Sequence, residues 1–538
     1  MSAPDRPVEA GAEKGYVSDI DFVDVVHPRM APVWLDYVAA LQGVALPAAR
    51  AGFDYCDLGC GTGLAVALLA ASDPRGRFIG VDISPSHIAR ARQLVDAGQL
   101  ANLALHETGF ANAINLPLPD FDYIALYGIL SWIGPAERRQ ALEFVRAKLK
   151  PGGLVLVSYN VMPGMAALEP LRRLMTEMAG GRSGDHAAGT PERLAAGLAA
   201  LRSLKEAGLR YFMDHAPAAR AVDAAFIEDR RYLAHEYLNP HWHLPYFADM
   251  RSTLAEIGLD YVGSMVTETN SARLSVPRAA RKVYDGAPGL DARELIKDLA
   301  LDRSFRVDLF GRALRRVAGD AQVRLFDTLC FSLGDRDWRS VPRRFRFPAV
   351  AVDRREAVAA PLLQALAEAP ASLDELAVRP GLDHVPRAEI VRELSLLVAG
   401  HAVHPARAQT HGGPARMLYR AADRFRLSAP LSASVLDRHL SETRARFVAA
   451  RALGAPLEIG PSDAVLLLGV VAAGIGGAAA WAAAEIERRR MVLAGEQGPI
   501  RGMPALTRHL QERIDRRWKP HYLERLVKLG VIVPAGTG

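Results

Sequence analysis

The side chains best placed to do chemistry lie in one stretch, residues 53–83. There Asp57-Leu58 runs into Gly59-Cys60-Gly61-Thr62-Gly63, and the apolar run Phe78-Ile79-Gly80-Val81 ends on Asp82-Ile83. Three glycines at alternate positions let a ligand approach the backbone where any Cβ would clash. The N–H groups opening the helix that follows would face that ligand. Asp82, at the tip of the next strand, is placed to accept hydrogen bonds from a ribose diol. The dinucleotide fingerprint needs G-x-G-x-x-G, whereas this chain has G-x-G-x-G with Asp57 just before it. Two further stretches, Tyr127-Gly128-Ile129-Leu130-Ser131-Trp132 and Ser158-Tyr159-Asn160-Val161-Met162-Pro163-Gly164-Met165, set aromatic and amide groups over the cleft that such a loop would border. His241 and His243 stand two apart with no third ligand of clear spacing, so no metal is expected.

Positioning these groups takes alternating strands and helices. Strands are expected at Tyr55–Leu58, Phe78–Val81, Leu103–His106, Tyr123–Tyr127 and Leu154–Tyr159. Helices are expected at Leu64–Ala71, from Ser84-Pro85 through Leu94, and over Ala136–Leu149, the last stopped by Lys150-Pro151-Gly152-Gly153. That alternation gives an α/β chain with a parallel sheet and ligands at the carboxyl ends of its strands. Ala/Leu/Arg-rich helices with a break at Gly180–Gly184 read as an insertion, after which a helix at Met250–Ile257 and strands at Leu259–Gly263 and Phe305–Phe310 would complete the sheet. Beyond it, Pro361–Ala367, a helix capped at Ser372, Ile390–Leu397, Gly400 and a short strand have a winged-helix-like outline, loosely echoed by Tyr522–Leu529, Gly530 and Val531–Val533. The expected organisation is a disordered segment at 1–14, a Rossmann-like core at 15–165, a helical insertion and regulatory region at 166–320, and a mostly helical region with winged-helix-like modules at 321–538.

Composition narrows the class of protein. A chain of 538 residues is too long for one core. Its net charge of +6 is small for that length and is spread along the chain as Arg, which reads as solvated helix faces and not as a nucleic-acid surface. Three cysteines, Cys56, Cys60 and Cys330, form no disulfide framework, and Met1 to Lys14 has no apolar signal core, so a cytoplasmic location is expected. The uncharged run 464–484 is long enough to span a bilayer but is built of Ala and Gly. A pair of small-residue helices in a core is the expected outcome, without stable membrane insertion.

The string Asp57 to Gly63, with a carboxylate ending the next strand, resembles motif I of the class I S-adenosylmethionine-dependent methyltransferases. Gly15-Tyr16, His27-Pro28, Phe121-Asp122-Tyr123-Ile124, Tyr127 to Trp132, Leu149 to Gly153, Ser158 to Gly164 and His235-Glu236-Tyr237-Leu238-Asn239 extend it. Together they resemble bacterial methyltransferases carrying a methyltransferase regulatory domain, a group that includes the rickettsial protein lysine methyltransferases. The resemblance implies a seven-stranded Rossmann-like sheet and S-adenosylmethionine as methyl donor. It implies donor contacts from Gly59, Gly61 and Gly63 at the methionine end, Asp82 at the ribose, Ile83 and Phe110 at the adenine, with Asp57 and the lid residue Tyr16 also counted as donor-binding. Tyr127, Trp132, Tyr159 and Asn160 are the candidates for positioning the acceptor. The sequence departs from the common pattern at Thr108-Gly109-Phe110, where many members have an acid, and at Tyr127, where relatives often have His. The implied reaction is in-line methyl transfer to a protein side chain, lysine. A small-molecule acceptor and a non-catalytic sensor of the donor are the alternatives, the sensor being disfavoured by retention of the glycines and Asp82.

Overall fold

The computed structural model describes residues 23–47, 52–178, 189–334, 337–407, 424–440, 446–495 and 498–535. The segment 1–14, Tyr16 and the Gly180–Gly184 break lie outside the described residues. Helix α1 (Pro32–Leu41) precedes the alternating core: β1 (Phe53–Leu58), α2 (Leu64–Ser72), β2 (Gly76–Asp82), α3 (Pro85–Gly98), β3 (Leu103–Glu107), β4 (Phe121–Leu126), α4 (Pro135–Lys148) and β5 (Leu149–Asn160). The inserted helices include α5 (Glu169–Met178), α6 (Thr190–Glu206) and α7 (Arg230–Leu238); α8 (Phe247–Ala255), β6 (Leu259–Ser264), α9 (Leu290–Leu301) and β7 (Phe305–Arg312) then finish the sheet. Its seven strands lie in the order β3-β2-β1-β4-β5-β7-β6. The first five are mutually parallel, and β7 is antiparallel to both of its neighbours. The order reverses between β1 and β4, so the carboxyl ends of those strands flank the switch point where ligands bind in such sheets.

Local chemistry accounts for the elements around that point. β1 buries Tyr55, Cys56 and Leu58 completely, as a strand covered on both faces must. α2 is apolar all round and buried all round. Leu64 to Ala71 belong to one hydrophobic cluster with Phe447, Val448, Leu457 and Ile459, so the hairpin Arg446–Ala450/Ala455–Ile459 of the C-terminal region closes over this helix. α3 starts as expected, with the Ser84 side chain accepting the His87 N–H and Pro85 in the first turn. One boundary differs from expectation. α4 stops at Lys148, but Pro151-Gly152-Gly153 does not separate it from the next strand, because Leu149 already pairs with Phe121 and β5 runs on to Asn160. A shift of register between Phe121 and Tyr123 absorbs the extra residues.

The C-terminal region follows its expected outline in part. Strand Cys330–Leu333 pairs with Ala371–Ser372 and Val403–Ala406, and helices Glu356–Glu368, Leu373–Ala377 and Arg387–Ala399 complete a winged-helix-like unit. Ser372 and Glu375 form a capping box. The chain ends on the echoed helix–glycine–strand, Leu523–Lys528, Gly530 and Ile532–Pro534, whose strand pairs with Phe425–Leu427. Arg525 is buried and donates to Gly334 O, Leu366 O and Ser332 Oγ, docking this second unit on the first. The apolar helix Pro461–Arg488 has the length and composition of a membrane span, with half of its most apolar window buried. Gly474, at φ 70° and ψ 172°, breaks it into two segments, and the close approach of Gly469 to the Ala478 carbonyl packs them together. Each segment is only about 20 Å long at 1.5 Å per residue, short of a ~30 Å hydrocarbon core.

Candidate functional site

The glycine loop joins β1 to α2, with Gly59, Gly61 and Gly63 all in the left-handed region at φ 90°, 55° and 75°. Most of its amides serve the protein: Gly59 and Cys60 both donate to Val81 O, Gly63 donates to Cys60 O, and Gly61 donates to Asp82 Oδ2 at 2.9 Å. These amides are thus not the ones free for a ligand; what the loop offers at Gly61 is space, and Gly59 and Gly63 shape the turn. A Cβ at Gly59 would meet Ile129 Cδ1 at 2.3 Å and one at Gly63 would meet Ala91 Cβ at 2.4 Å, but one at Gly61 meets nothing within 4 Å. Gly128, just past β4 at φ 70°, is equally open, and its N–H donates to Ser158 Oγ at 2.7 Å.

Asp82 sits where the sequence put it, with its carboxylate already engaged: Oδ1 accepts from Ser84 N at 2.9 Å and lies 3.2 Å from His87 Nδ1. Asp57 is buried beneath the loop, and burial together with the negative charge of Asp82 pushes its carboxyl up to about 7. Ile83 is 70% exposed although apolar, and it stands against Gly109, the residue before Phe110. Phe110 is half-buried at the start of a short helical turn. Tyr16 lies outside the described residues.

At the ends of β4 and β5 the four acceptor candidates separate. Tyr127 follows β4 immediately, 4.6 Å from the His27 ring and 6.2 Å, edge-on, from Phe305. Burial and the charge of Arg29 push His27 down to about 4, and burial pushes the Tyr127 phenol up. Trp132 is half-buried on the same loop. Asn160 is buried, its N–H donating to Ser131 Oγ at 2.9 Å. Tyr159 is not in the cleft. It is 1% exposed and donates to Asp308 Oδ2 at 2.8 Å, inside a buried charge cluster centred on Arg306. His241 packs its ring against Gly134, and the backbone N–H of His243 donates to Ser131 O. Among the described residues no three His, Cys, Asp or Glu side chains are grouped to hold a metal ion.

Asp24 was not among the expected residues. Its Oδ1 accepts from Thr62 Oγ1 at 2.5 Å, Oδ2 accepts from Arg90 at 2.9 Å, and His439 Nε2 lies 3.3 Å away. Burial works against this carboxylate, but hydrogen bonds from His439 and Thr62 and the charge of Arg90 hold it down to about 2. Through Asp24 the glycine loop is tied both to α3 and to the C-terminal region. No spacing in the sequence signals a partnership of residues so far apart.

Comparison with known proteins fits this geometry. Residues 56–155 match the family model of a methyltransferase domain, and residues 229–312 match that of a predicted methyltransferase regulatory domain. The uncharacterized protein sll1526 of Synechocystis sp. is 28% identical over 457 residues, 85% of this chain and 87% of the relative. A carboxy-S-adenosyl-L-methionine synthase of Geobacter metallireducens is 31% identical over 146 residues, 27% of this chain and 59% of that protein. Among solved structures, PKMT2 from Rickettsia typhi in complex with AdoHcy has a TM-score of 0.70 at 17% identity, over 95% of this chain and 99% of that one, so the two share a fold. The glycine cradle, the open space at Gly61 and Gly128 and the exposed Ile83 suit a ligand with a methionine part and an adenosine part. The chain is an S-adenosylmethionine-dependent methyltransferase in which a methyltransferase domain is followed by a methyltransferase regulatory domain.

Proposed function

We propose that this enzyme methylates a protein side chain, a lysine amine held at the ends of β4 and β5. The observation that carries the reading is the aromatic group of Tyr127, His27 and Phe305, which stands beside the open space at Gly128. Aromatic faces attract an ammonium by roughly 0.5–2 kcal/mol, and a His27 kept neutral by burial adds no opposing charge. PKMT2, whose fold this chain shares along almost its whole length, supports a protein acceptor by its name. Bound S-adenosylmethionine supplies an electrophilic methyl on a sulfonium. The chain's part is to hold the acceptor in line, at about 3–3.5 Å. On this reading Gly59, Gly61 and Gly63 border the methionine part of the donor and Asp57 faces its ammonium. Asp82 turns its remaining lone pairs to the ribose hydroxyls, and Ile83 and Phe110 flank the adenine. Trp132 and Asn160 bound the acceptor's path. The free thiols Cys56, Cys60 and Cys330 go with a reducing cytoplasm.

A small-molecule acceptor is the second reading, favoured by a cavity of about 580 Å³ that Tyr127 shares with Trp34, Met265, His404 and Leu457. That volume lies within the range of small-ligand sites. Transfer of labelled methyl into a fractionated bacterial lysate separates the two. Label in protein, at lysine after hydrolysis, is the expected result; label confined to the small-molecule fraction supports the second reading.

Asp57 gives the donor site a pH signature. Its carboxyl ionises near pH 7 in the free protein, and a cation beside it favours the ionised form. Below pH 7, binding must therefore expel a proton. Affinity for S-adenosylhomocysteine, which keeps the ammonium, is expected to fall as pH drops from 8 to 6, approaching a tenfold loss per unit. Calorimetry on wild type and Asp57→Asn checks this: the variant should lose the slope, and a flat wild-type profile would remove Asp57 from the site.

A further inference from the structure

We propose that Glu236 receives the proton of the acceptor amine, in a pocket formed by α7, the end of β5 and the segment 239–243. The inference rests on the reading of the enzyme as an amine methyltransferase. Glu236 lies in α7, and its carboxylate is faced by the hydroxyl of Tyr232, the side chain of Asn160 and the guanidinium of Arg172, with Tyr237 nearby on its own helix. Glu236 is half-buried as a residue, with its carboxyl enclosed. Three polar atoms around it, Asn160 Nδ2, Asn239 Nδ2 and Trp242 Nε1, are buried with no hydrogen-bond partner among the described residues. These atoms are N–H donors, so they suit the carbonyl oxygens of a peptide carrying the amine, while the carboxylate of Glu236 suits the ammonium. The same segment lies over the acceptor loop, since the His243 N–H donates to Ser131 O and His241 packs on Gly134.

The position suits the chemistry. Asn160 ends β5, and β5 lies two strands from β1 and the glycine loop. Two strand spacings are roughly 10 Å, room for a methyl, an amine nitrogen and a carboxylate in a row. Arg172 is held by the Asn239 carbonyl and by the Trp242 face, 5.0 Å from its guanidinium. A fixed cation there disfavours a second positive charge, so an arriving ammonium gives its proton to Glu236 and stays as the neutral amine. Its lone pair then forms the N–C bond to the methyl, the electrons of the broken C–S bond remain on sulfur as a thioether, and the product leaves as the methylammonium. Burial pushes the Glu236 carboxyl up to about 7, opposed by the neighbouring Tyr232 hydroxyl and Asn160 amide and by the charge of Arg172, so it can take up and release a proton at neutral pH.

The test uses the full chain saturated with S-adenosylhomocysteine and n-butylamine as the probe. Wild type is expected to bind n-butylamine in preference to n-butanol, and Glu236→Gln to bind it at least tenfold more weakly with unchanged S-adenosylhomocysteine affinity. Methyl transfer by Glu236→Gln should fall at least a hundredfold in kcat, and the rise of the wild-type rate through pH 7 should disappear. If Glu236→Gln does not fold, Glu236→Asp keeps the charge at a shorter reach and should show a reduced kcat with that pH rise retained. A wild type that binds n-butanol as well as n-butylamine, or a Gln variant with wild-type binding and pH profile, overturns the role. Amine binding that depends on Glu236 without label in any protein would leave this role standing and remove the protein acceptor instead.

Discussion

Arg306→Leu is expected to destabilise the protein by about 3–5 kcal/mol, the range for breaking a buried ion network by removing one partner. The guanidinium of Arg306 is fully buried. It donates to Asp308 at 2.7 Å, to both carboxylate oxygens of Asp298 at 2.8 Å and to Glu294 at 2.8 Å, and its face lies 4.4 Å from the Phe247 ring. Lys297 and Arg303 supply the remaining positive charge, pairing with Glu294 and Asp298. Leucine fills part of the volume but leaves carboxylates desolvated and underpaired. The sign with pH follows from Asp298. Burial, opposed by Arg306 and Arg303, already pushes it up to about 6. A carboxyl raised above its unfolded value holds its proton more tightly when folded, so stability is lost as pH rises through that range. Without Arg306 the shift grows, and the deficit of the variant should be larger at pH 8 than at pH 5. Thermal unfolding of both proteins at both pH values measures it; an equal deficit would mean that packing, not charge, makes the loss.

The same network explains what the sequence could not reveal. Tyr159 lies next to Asn160 in a stretch that reads as one cleft-lining motif, but side chains of a strand alternate between faces. Ser158 reaches the Gly128 amide, whereas Tyr159 turns to Asp308 on β7. Asp308 is 149 residues away along the chain, and neither residue carries a local sign of the other. The β1–loop–α2–β2 unit was legible because its signals are local: apolar runs, glycines where φ must be positive, and Ser84-Pro85 at a helix start. The strand order was legible only through resemblance, since alternation gives a parallel sheet but not the reversal between β1 and β4. The C-terminal region was legible in its capping box and helix–glycine–strand ends. Its contact with the donor loop, from His439 to Asp24, depends on tertiary packing and left no pattern in sequence.

Gly61→Ala and Gly63→Ala are expected to fail in different ways, which separates the glycines that shape the loop from the one that leaves room for the donor. Both residues have positive φ, which costs a non-glycine residue roughly 1–2 kcal/mol. At Gly63 the added Cβ would lie 2.4 Å from Ala91 Cβ and 3.2 Å from Ala91 Cα, so α3 must move away from the loop. Overpacking of that kind adds about 1–3 kcal/mol, and thermal unfolding should register the sum. At Gly61 the Cβ meets no protein atom within 4 Å, so only the backbone term applies and the fold should persist. The methyl group instead enters the space next to the N–H that Asp82 accepts, where the donor's methionine part is proposed to lie. S-adenosylhomocysteine should therefore bind Gly61→Ala at least tenfold more weakly, with an unfolding temperature closer to wild type than that of Gly63→Ala. Calorimetry and thermal unfolding on the two variants decide it. Normal binding by Gly61→Ala would move the donor off the glycine loop, because no other feature of residue 61 stands between a methyl group and open space.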